Sequence, residues 1–466
     1  MWKGRFKENT AEVVQKFTES LDLDWRMYAE DIRGSKGHVK MLVKIGLLSP
    51  EEGEGLCRGL DQVEEEIRSG KLEPSVELED VHMNIESRLI EILGPLGAKL
   101  HMGRSRNDQV ATTVRLYLRS RLARLGIALG DLLEVLLENA ERHLEKVVPG
   151  YTHLQQAQPI SMGHYWMGHF AALRRDTRRL LFALESLDEC PLGAGALAGS
   201  TLPLDREYSS EILGFREPTE NSLDTVGHRD YQTDYHYFAS LFTIHCSRMA
   251  EDLIVYSSQE FRWIELPDAF CTGSSMMPQK KNADVLEIVR GKTGQVIGHF
   301  MDLLISLKGL PSTFNRDLQE DKRSLWRSLE TLEALLEVLP PLLSRVEIRE
   351  KEARRAFEGG TILATDVAEY LVRKGVPFRE AHEKVGRSVA WCQEHNRPLD
   401  KLSLEEWQAL IPEVREDLPP LLTPEKAVEG RNTYGGTGFD QVKKQIARGR
   451  GFLEEIRESF REYGEK

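Results

Sequence analysis

One stretch limits the possible folds more than any other. No proline falls between Pro95 and Pro149, and from Asn107 to Val147 apolar residues recur at helical spacing: Val110, Val114, Leu118, Leu122, Leu125, Leu129, Leu132, Leu133, Leu136. That spacing predicts one helix of about 40 residues, ~60 Å long. Such a rod exceeds the diameter of an ordinary small domain, so its apolar stripe needs partners of similar length.

The partners are legible. Helical segments are expected over Ser161–Leu187, Arg229–Glu265, Ala283–Lys308 and Asp321–Val338, the last ending at Pro340-Pro341. Gly291, Gly294 and Gly298 sit at a spacing that permits close helix approach. Period-two alternation is scarce, so strands should be few and short. Shorter helices flank the bundle, with explicit starts at Ser49-Pro50-Glu51-Glu52, Ser403 with Glu406, and Thr423-Pro424-Glu425. Gly359-Gly360 marks a boundary. The expected organisation is all-α in three domains: 1–106, mostly helical; 107–358, the central long-helix bundle; and 359–466, a C-terminal helical domain.

Composition narrows the function. The chain has 466 residues, 40% hydrophobic and 29% charged, with 62 basic against 75 acidic side chains for a net charge of −13. An acidic chain is a poor general nucleic-acid binder, because phosphate contacts need clustered cations. The densest basic run, Arg174, Arg175, Arg178 and Arg179, carries Asp176 among them and reads as a solvated or subunit-facing helix surface. No apolar run approaches the ~18 residues of a membrane helix. The first eight residues lack the apolar stretch of a signal peptide. Five cysteines, with no C-x-x-C pair, fit free thiols in a reducing cytoplasm. G-x-S-x-G, Walker and H-E-x-x-H strings are missing, and so is the strand–helix context of a dinucleotide site, so neither a metal nor a cofactor is expected.

Polar, glycine-bearing strings between the long helices carry the chemistry. His101–Asp108 contains Gly103, Arg104, Ser105, Arg106 and Asn107 at the start of the longest helix. Guanidinium groups beside a helix amino end suit a carboxylate. An ordinary cap needs one such residue, and the extra Arg-Ser-Arg favours a ligand. Tyr151–Pro159 holds His153 in a stretch too polar for simple core, although a loop histidine is more often structural. Thr272–Asn282 mixes hydroxyls, amides and ammoniums with Met276-Met277, which argue against a fully solvated connector. Gly273 lets backbone N–H groups converge on an anion. Thr313–Lys322, taken alone, is a charged helix entry. Many anion-binding groups with a histidine, serines and lysines suit proton abstraction beside a carboxylate. The residues alone do not name the substrate.

The strings also resemble a family. G-S-S-M-M-P-Q-K-K-N is similar to the signature loop of the fumarase/aspartase superfamily, and its Q-K-K-N ending resembles argininosuccinate lyases. G-R-S-R-N-D-Q-V-A-T, Y-T-H-L-Q-Q-A-Q-P, G-A-G-A-L-A-G-S-T, D-L-Q-E-D-K, E-D-V-H-M-N-I-E and Y-L-V-R-K-G-V-P-F-R-E-A-H resemble the same family in the same order. The resemblance begins at Trp2-Lys3-Gly4-Arg5-Phe6 and covers nearly the whole chain.

The resemblance implies a homotetramer with pooled bundles and active sites shared between subunits. It implies reversible elimination of argininosuccinate to arginine and fumarate, in arginine biosynthesis. Ser274 and His153 form the acid–base pair, with Ser274 favoured as base and the reversed roles also open. Lys280 supports the serine and the dianionic intermediate, and Glu287 partners the histidine. Ser20, Arg106, Asn107, Thr152, Asn282, Phe314, Gln319 and Lys322 contact the substrate. Several positions depart from the usual pattern: Lys3 for Gly, Thr113 for Asp, Ala283 for Pro, Gly227-His228 for Ser-Asp, and Phe314 for Tyr. Two alternatives remain at this stage. One is another superfamily lyase on a different adduct; the other is a non-catalytic relative like the lens crystallins.

Overall fold

The structure is a computed structural model that describes Glu8 and residues 10–466. The Trp2–Phe6 string, with Lys3, lies outside the described residues. The longer helices are α1 (Tyr28–Lys44), α2 (Pro50–Arg68), α3 (Val81–Leu93), α4 (Arg106–Arg142), α5 (Met162–Leu187), α6 (Asp230–Ser257), α7 (Asp284–Leu307), α8 (Asp321–Leu343), α9 (Ala364–Arg373), α10 (Phe378–Glu394) and α11 (Phe439–Glu465). Among the described residues the strands are short: β1 (Val147–Thr152), β2 (Gln155–Ser161), β3 (Glu189–Cys190), β4 (Glu217–Pro218), β5 (Ile264–Glu265), β6 (Thr272–Gly273), β7 (Lys281–Asn282) and β8 (Glu347–Ile348). They pair as four two-stranded ribbons, β1–β2, β3–β4, β5–β8 and β6–β7. The molecule is mostly helical.

The expected rod is α4. Ser105 caps it by accepting N–H from Asn107, and the Asp108 side chain closes the box onto the Ser105 backbone. Its leucines from Leu118 to Leu137 lie in the main core beside Trp166 and Phe170 of α5, Phe238 and Phe242 of α6, and Leu329 to Leu339 of α8. The arginine-rich face of α5 is occupied in part by α11, whose Phe452 ring sits under Arg174 and Arg178.

Two helix ends differ from the expectation. α8 continues through Pro340 and Pro341 to Leu343. A proline costs a backbone hydrogen bond but holds a helical φ. Leu342 and Leu343 are 1% and 0% exposed, and their burial outweighs the loss in this last turn. The segment expected to be helical to Glu265 instead ends at Ser257. The chain turns at Arg262, where φ is +59°, and buries Trp263 and Ile264 as it enters the β5–β8 ribbon.

Two further cores flank the bundle. One joins Ile32, Leu42, Leu60, Ile85 and Leu100 near the N-terminus. The other joins Ile362, Leu371, Val385, Trp407 and Leu422. The three cap signals read from sequence operate as capped helix starts at Ser49, Ser403 and Thr423. After the C-terminal core the chain returns: Val442, Ile446, Leu453, Ile456 and Phe460 of α11 belong to the bundle core. All five cysteines are free. No helix among the described residues is long and apolar enough to cross a membrane.

Candidate active site

Ser274 lies in the loop between β6 and β7. Thr272 pairs with Asn282 and Gly273 with Lys281, so this small ribbon holds both ends of the loop. Within it, the Ser274 hydroxyl oxygen accepts N–H bonds from Met276 (3.2 Å) and Met277 (3.0 Å). Two donors on that oxygen favour its anionic form and leave its own proton free to go elsewhere. Met276 is 87% exposed, so the apolar pair does not anchor the loop on this chain's core as the sequence suggested. The anchor is Lys281, whose ammonium donates to Glu265 (2.6 Å), Asp268 (2.6 Å) and the Leu266 carbonyl. Lys280 is exposed on the loop, and Glu287 is exposed in the first turn of α7. Asn282 donates to the Gly273 carbonyl at 3.5 Å.

His153 occupies the tip of the β1–β2 hairpin. Thr152 pairs with Gln155, which makes His153 and Leu154 a two-residue turn, and both have positive φ, +56° and +58°. A type I′ two-residue hairpin takes that conformation at both positions and ordinarily fills it with Asn-Gly. A His-Leu pair there is strained and exposed, held out from the chain that carries it.

A third group forms where the N-terminal segment meets α3, α4 and the entry to α8. The Ser20 hydroxyl donates to Asp24 (2.7 Å), and Ser20 N–H donates to the Glu79 carbonyl (3.0 Å). Burial pushes the Asp24 carboxyl up to about 6, against the pull of His82 and the Ser20 hydrogen bond. Arg106 pairs with Asp80 at 3.1 Å and reaches Gln109 at 2.7 Å. Gln319 donates to the carbonyls of Thr18 (3.1 Å) and Glu19 (3.3 Å). Lys322 is 4% exposed and donates to Asp321 at 3.0 Å. Burial opposes charge on Asp321, but Lys322 and Arg229 outweigh it and hold the carboxyl below its usual range.

The glycine string after α5 has a structural task. Gly193 and Gly195 both donate N–H to the buried Asp108 carboxylate at 2.9 Å, and both have positive φ. Asn107 then donates to the Ala196 carbonyl at 3.2 Å. The loop is thus wrapped around the start of α4.

The structure therefore joins Ser20, Arg106 and Gln319 through Glu79, Asp80 and Thr18. Among the described residues, no hydrogen bond or ion pair links that group to the His153 turn or to the Ser274 loop. Asp24 and Glu79 were not singled out from sequence as site residues. Asp24 lies one helical turn past Ser20, the only signal that could have found it.

Some of the departures from the family pattern have local reasons. Thr113 donates to the buried Asp31 (3.1 Å) or to the Gln109 carbonyl (3.0 Å), where an aspartate would add a second acid. His228 Nε2 takes an N–H of the buried Arg115 at 2.6 Å. Burial and then Arg115 pull His228 below its ordinary pKa, which keeps the ring a neutral acceptor. Ala283 precedes α7 without a side-chain cap. Gly227 lies against Thr313, the residue before Phe314.

Comparison with known proteins identifies the family. A family described as Lyase matches residues 4–298, and one described as Argininosuccinate lyase C-terminal matches residues 361–429. The argininosuccinate lyase of Moorella thermoacetica is 48% identical over 97% of this chain and 98% of its own. That of Thermosynechococcus vestitus is 46% identical over 98% of each. Among solved structures, an EDDS lyase in complex with formate superposes with a TM-score of 0.84 at 27% identity, covering 99% of this chain and 95% of that one. A fumarate lyase from Mesorhizobium sp. BNC1 shares the fold, with a TM-score of 0.74 at 15% identity over 95% of this chain and all of its own. The chain belongs to the argininosuccinate lyase family of the fumarase/aspartase superfamily.

Proposed function

We propose that this carbon–nitrogen lyase eliminates argininosuccinate reversibly to L-arginine and fumarate, in cytoplasmic arginine biosynthesis, with Ser274 as the base. The observation that carries the role is the pair of backbone N–H bonds on the Ser274 oxygen. A serine hydroxyl is a weak base, and two fixed donors with Lys280 nearby in the loop stabilise its alkoxide. The alkoxide removes the proton from the succinyl carbon beside the carboxylate. The electron pair passes first onto that carboxylate, giving a dianion, and then forms the carbon–carbon double bond as the C–N bond breaks. The departing guanidino nitrogen takes a proton from His153, directly or through a water, with Glu287 holding the histidine. Ser20, Arg106, Asn107, Thr152, Asn282, Phe314, Gln319 and Lys322 bind the substrate.

We further propose that the site is completed by other copies of the chain in a homotetramer. Along α7, Ile288, Met301 and Ile305 are 58%, 49% and 65% exposed. A β-carbon on Gly291, Gly294 or Gly298 would meet nothing within 4 Å, so the close approach these glycines permit has no partner among the described residues of one chain. Covering this face with the bundles of neighbouring subunits brings the strained His153 turn and the Ser274 loop to a common substrate.

The test is spectroscopic. Purified protein with argininosuccinate should generate the ultraviolet absorbance of fumarate, and Ser274→Ala should abolish it while the assembly and substrate binding persist. Activity of that variant within tenfold of the parent removes Ser274 from the base role. The Phe314 position gives one reason to keep a second reading, a lyase for a related succinyl adduct; turnover of such an adduct in preference to argininosuccinate would select it.

A further inference from the structure

The turn that leads into α6 passes the loop before α8 at a range that no side chain permits. Gly227 donates its N–H to the Asp224 carbonyl at 2.9 Å, and its φ is outside the left-handed region. Glycine is therefore not needed there for backbone freedom. It is needed for space: a β-carbon would lie 2.6 Å from the Thr313 carbonyl oxygen, 2.9 Å from its carbonyl carbon and 3.1 Å from its Cα. All three are backbone atoms and cannot rotate aside.

Thr313 is unusual in its own right. Its φ is +76°, a region that β-branched residues avoid and that persists only where the surroundings enforce it. The next residue is Phe314. A cavity of about 250 Å³ opens beside the contact, lined by Asp224, His228, Leu310 and Pro311 among others, so side-chain packing does not brace the loop on this side. Both sides of the contact are nevertheless fixed further out. Arg229, two residues past Gly227, forms a buried ion pair with Asp321. On the loop side, Leu318 is 2% exposed and Arg316 donates to the Thr18 carbonyl at 2.6 Å.

We propose that Gly227 is a positioning residue for substrate binding: its bare backbone seats Thr313 in the left-handed conformation, and that conformation sets where the Phe314 ring meets the substrate. The proposal rests on the reading of Phe314 as a substrate contact. A methyl at 227 forces Thr313 outward, into a loop with open space beside it. Phe314 moves with it, while Ser274, His153 and Lys280, carried on other elements, keep their places.

The experiment is a kinetic cycle on the full-length protein with argininosuccinate. Gly227→Ala should raise KM tenfold or more with kcat within threefold, the pattern of a lost binding contact. Gly386→Ala, at a site where an added β-carbon meets nothing, should leave both constants unchanged. Phe314→Ala alone should raise KM, and Gly227→Ala in that background should raise it no further. A raised KM in Phe314→Ala with a parental KM in Gly227→Ala overturns the proposal alone, as does simple additivity of the two. An unchanged KM in Phe314→Ala removes the reading of Phe314 and the proposal with it. If Gly227→Ala fails to fold, Thr313→Gly keeps the close approach and takes the left-handed φ without strain. It should keep the parental KM at a melting temperature no lower than the parent's. A KM raised severalfold there overturns the proposal, because the threonine side chain and not the seated conformation would then place Phe314.

Discussion

A serine that accepts two backbone N–H bonds is a stronger acid than one in water, and Ser274 is built that way. His153 shows a different expense at the same scale, since its turn holds two side chains at positive φ with no glycine to relieve it. Phe314 offers the sharpest single-residue test. The family pattern places a tyrosine there, and the ring without its hydroxyl forgoes one hydrogen bond, worth roughly 1.5–3 kcal/mol when the partner is charged. Phe314→Tyr is therefore expected to lower KM for argininosuccinate by about ten- to a hundredfold, with kcat within a few fold. Steady-state kinetics on the two proteins decides it; an unchanged or higher KM means the pocket has closed around the phenylalanine.

Between elements, the crossing of α4 and α11 depends on small residues meeting large ones. A β-carbon on Gly126 would lie 2.2 Å from the Phe460 ring, and one on Gly449 2.6 Å from Leu137. Phe460 itself is 0% exposed. Removing such a ring costs about 3–5 kcal/mol, so Phe460→Ala should lower the urea midpoint markedly. Gly126→Ala should also destabilise, because overpacking costs about 1–3 kcal/mol against a helix-propensity gain of about 1 kcal/mol. Combining Gly126→Ala with Phe460→Leu should recover part of the loss. Full additivity of the two would mean that they do not share the space the structure gives them. The same crossing explains why the chain beyond 358 contributes to two cores: the amphipathic face of α11 finds its main partners on α4 and α5.

For the whole molecule, burial of imidazoles sets the response to acid. Desolvation pulls His38, His143 and His236 down to about 3. A histidine depressed on folding gives its full contribution above its unfolded value near 6.5 and loses it as pH falls toward the folded value. Asp24 runs the other way: raised from 3.8 to about 6, it adds stability as pH falls through that window. His164, His228 and His299 are pulled down as well, and Glu30, Asp108, Asp176 and Asp234 are raised together with Asp24. The three large histidine depressions dominate between pH 7.5 and 5 and predict a lower urea midpoint at pH 5. His236 has both ring nitrogens unpartnered and stacks on Phe300 at 6.1 Å. His236→Phe should therefore flatten that pH dependence, and an unchanged slope would mean that the ring is protonated or solvated in the fold. Assembly has its own test. Inactive His153→Asn and inactive Ser274→Ala subunits, mixed after partial dissociation, should regain activity, because some mixed sites hold both intact groups. No recovery despite proven subunit exchange counts against shared sites.

Helical period and cap chemistry are local, so the long rod, its four bundle partners and the starts at Ser49, Ser403 and Thr423 could be read without a structure. The polar strings were equally local, and their residue types named a reaction class before any fold was drawn. Other features are decided by residues distant in sequence. The burial of Leu342 and Leu343 carries a helix past two prolines, and the β5–β8 ribbon ends another at Ser257. The Asp108 carboxylate determines the path of the glycine string after α5, and Asp24 is raised by burial beside the start of α3, whose Val81 N–H it accepts. Gly227 follows the same rule. Nothing next to it in sequence requires a glycine; the requirement comes from a carbonyl on a loop more than eighty residues away, and only the packed chain brings that oxygen to 2.6 Å from where a β-carbon would be.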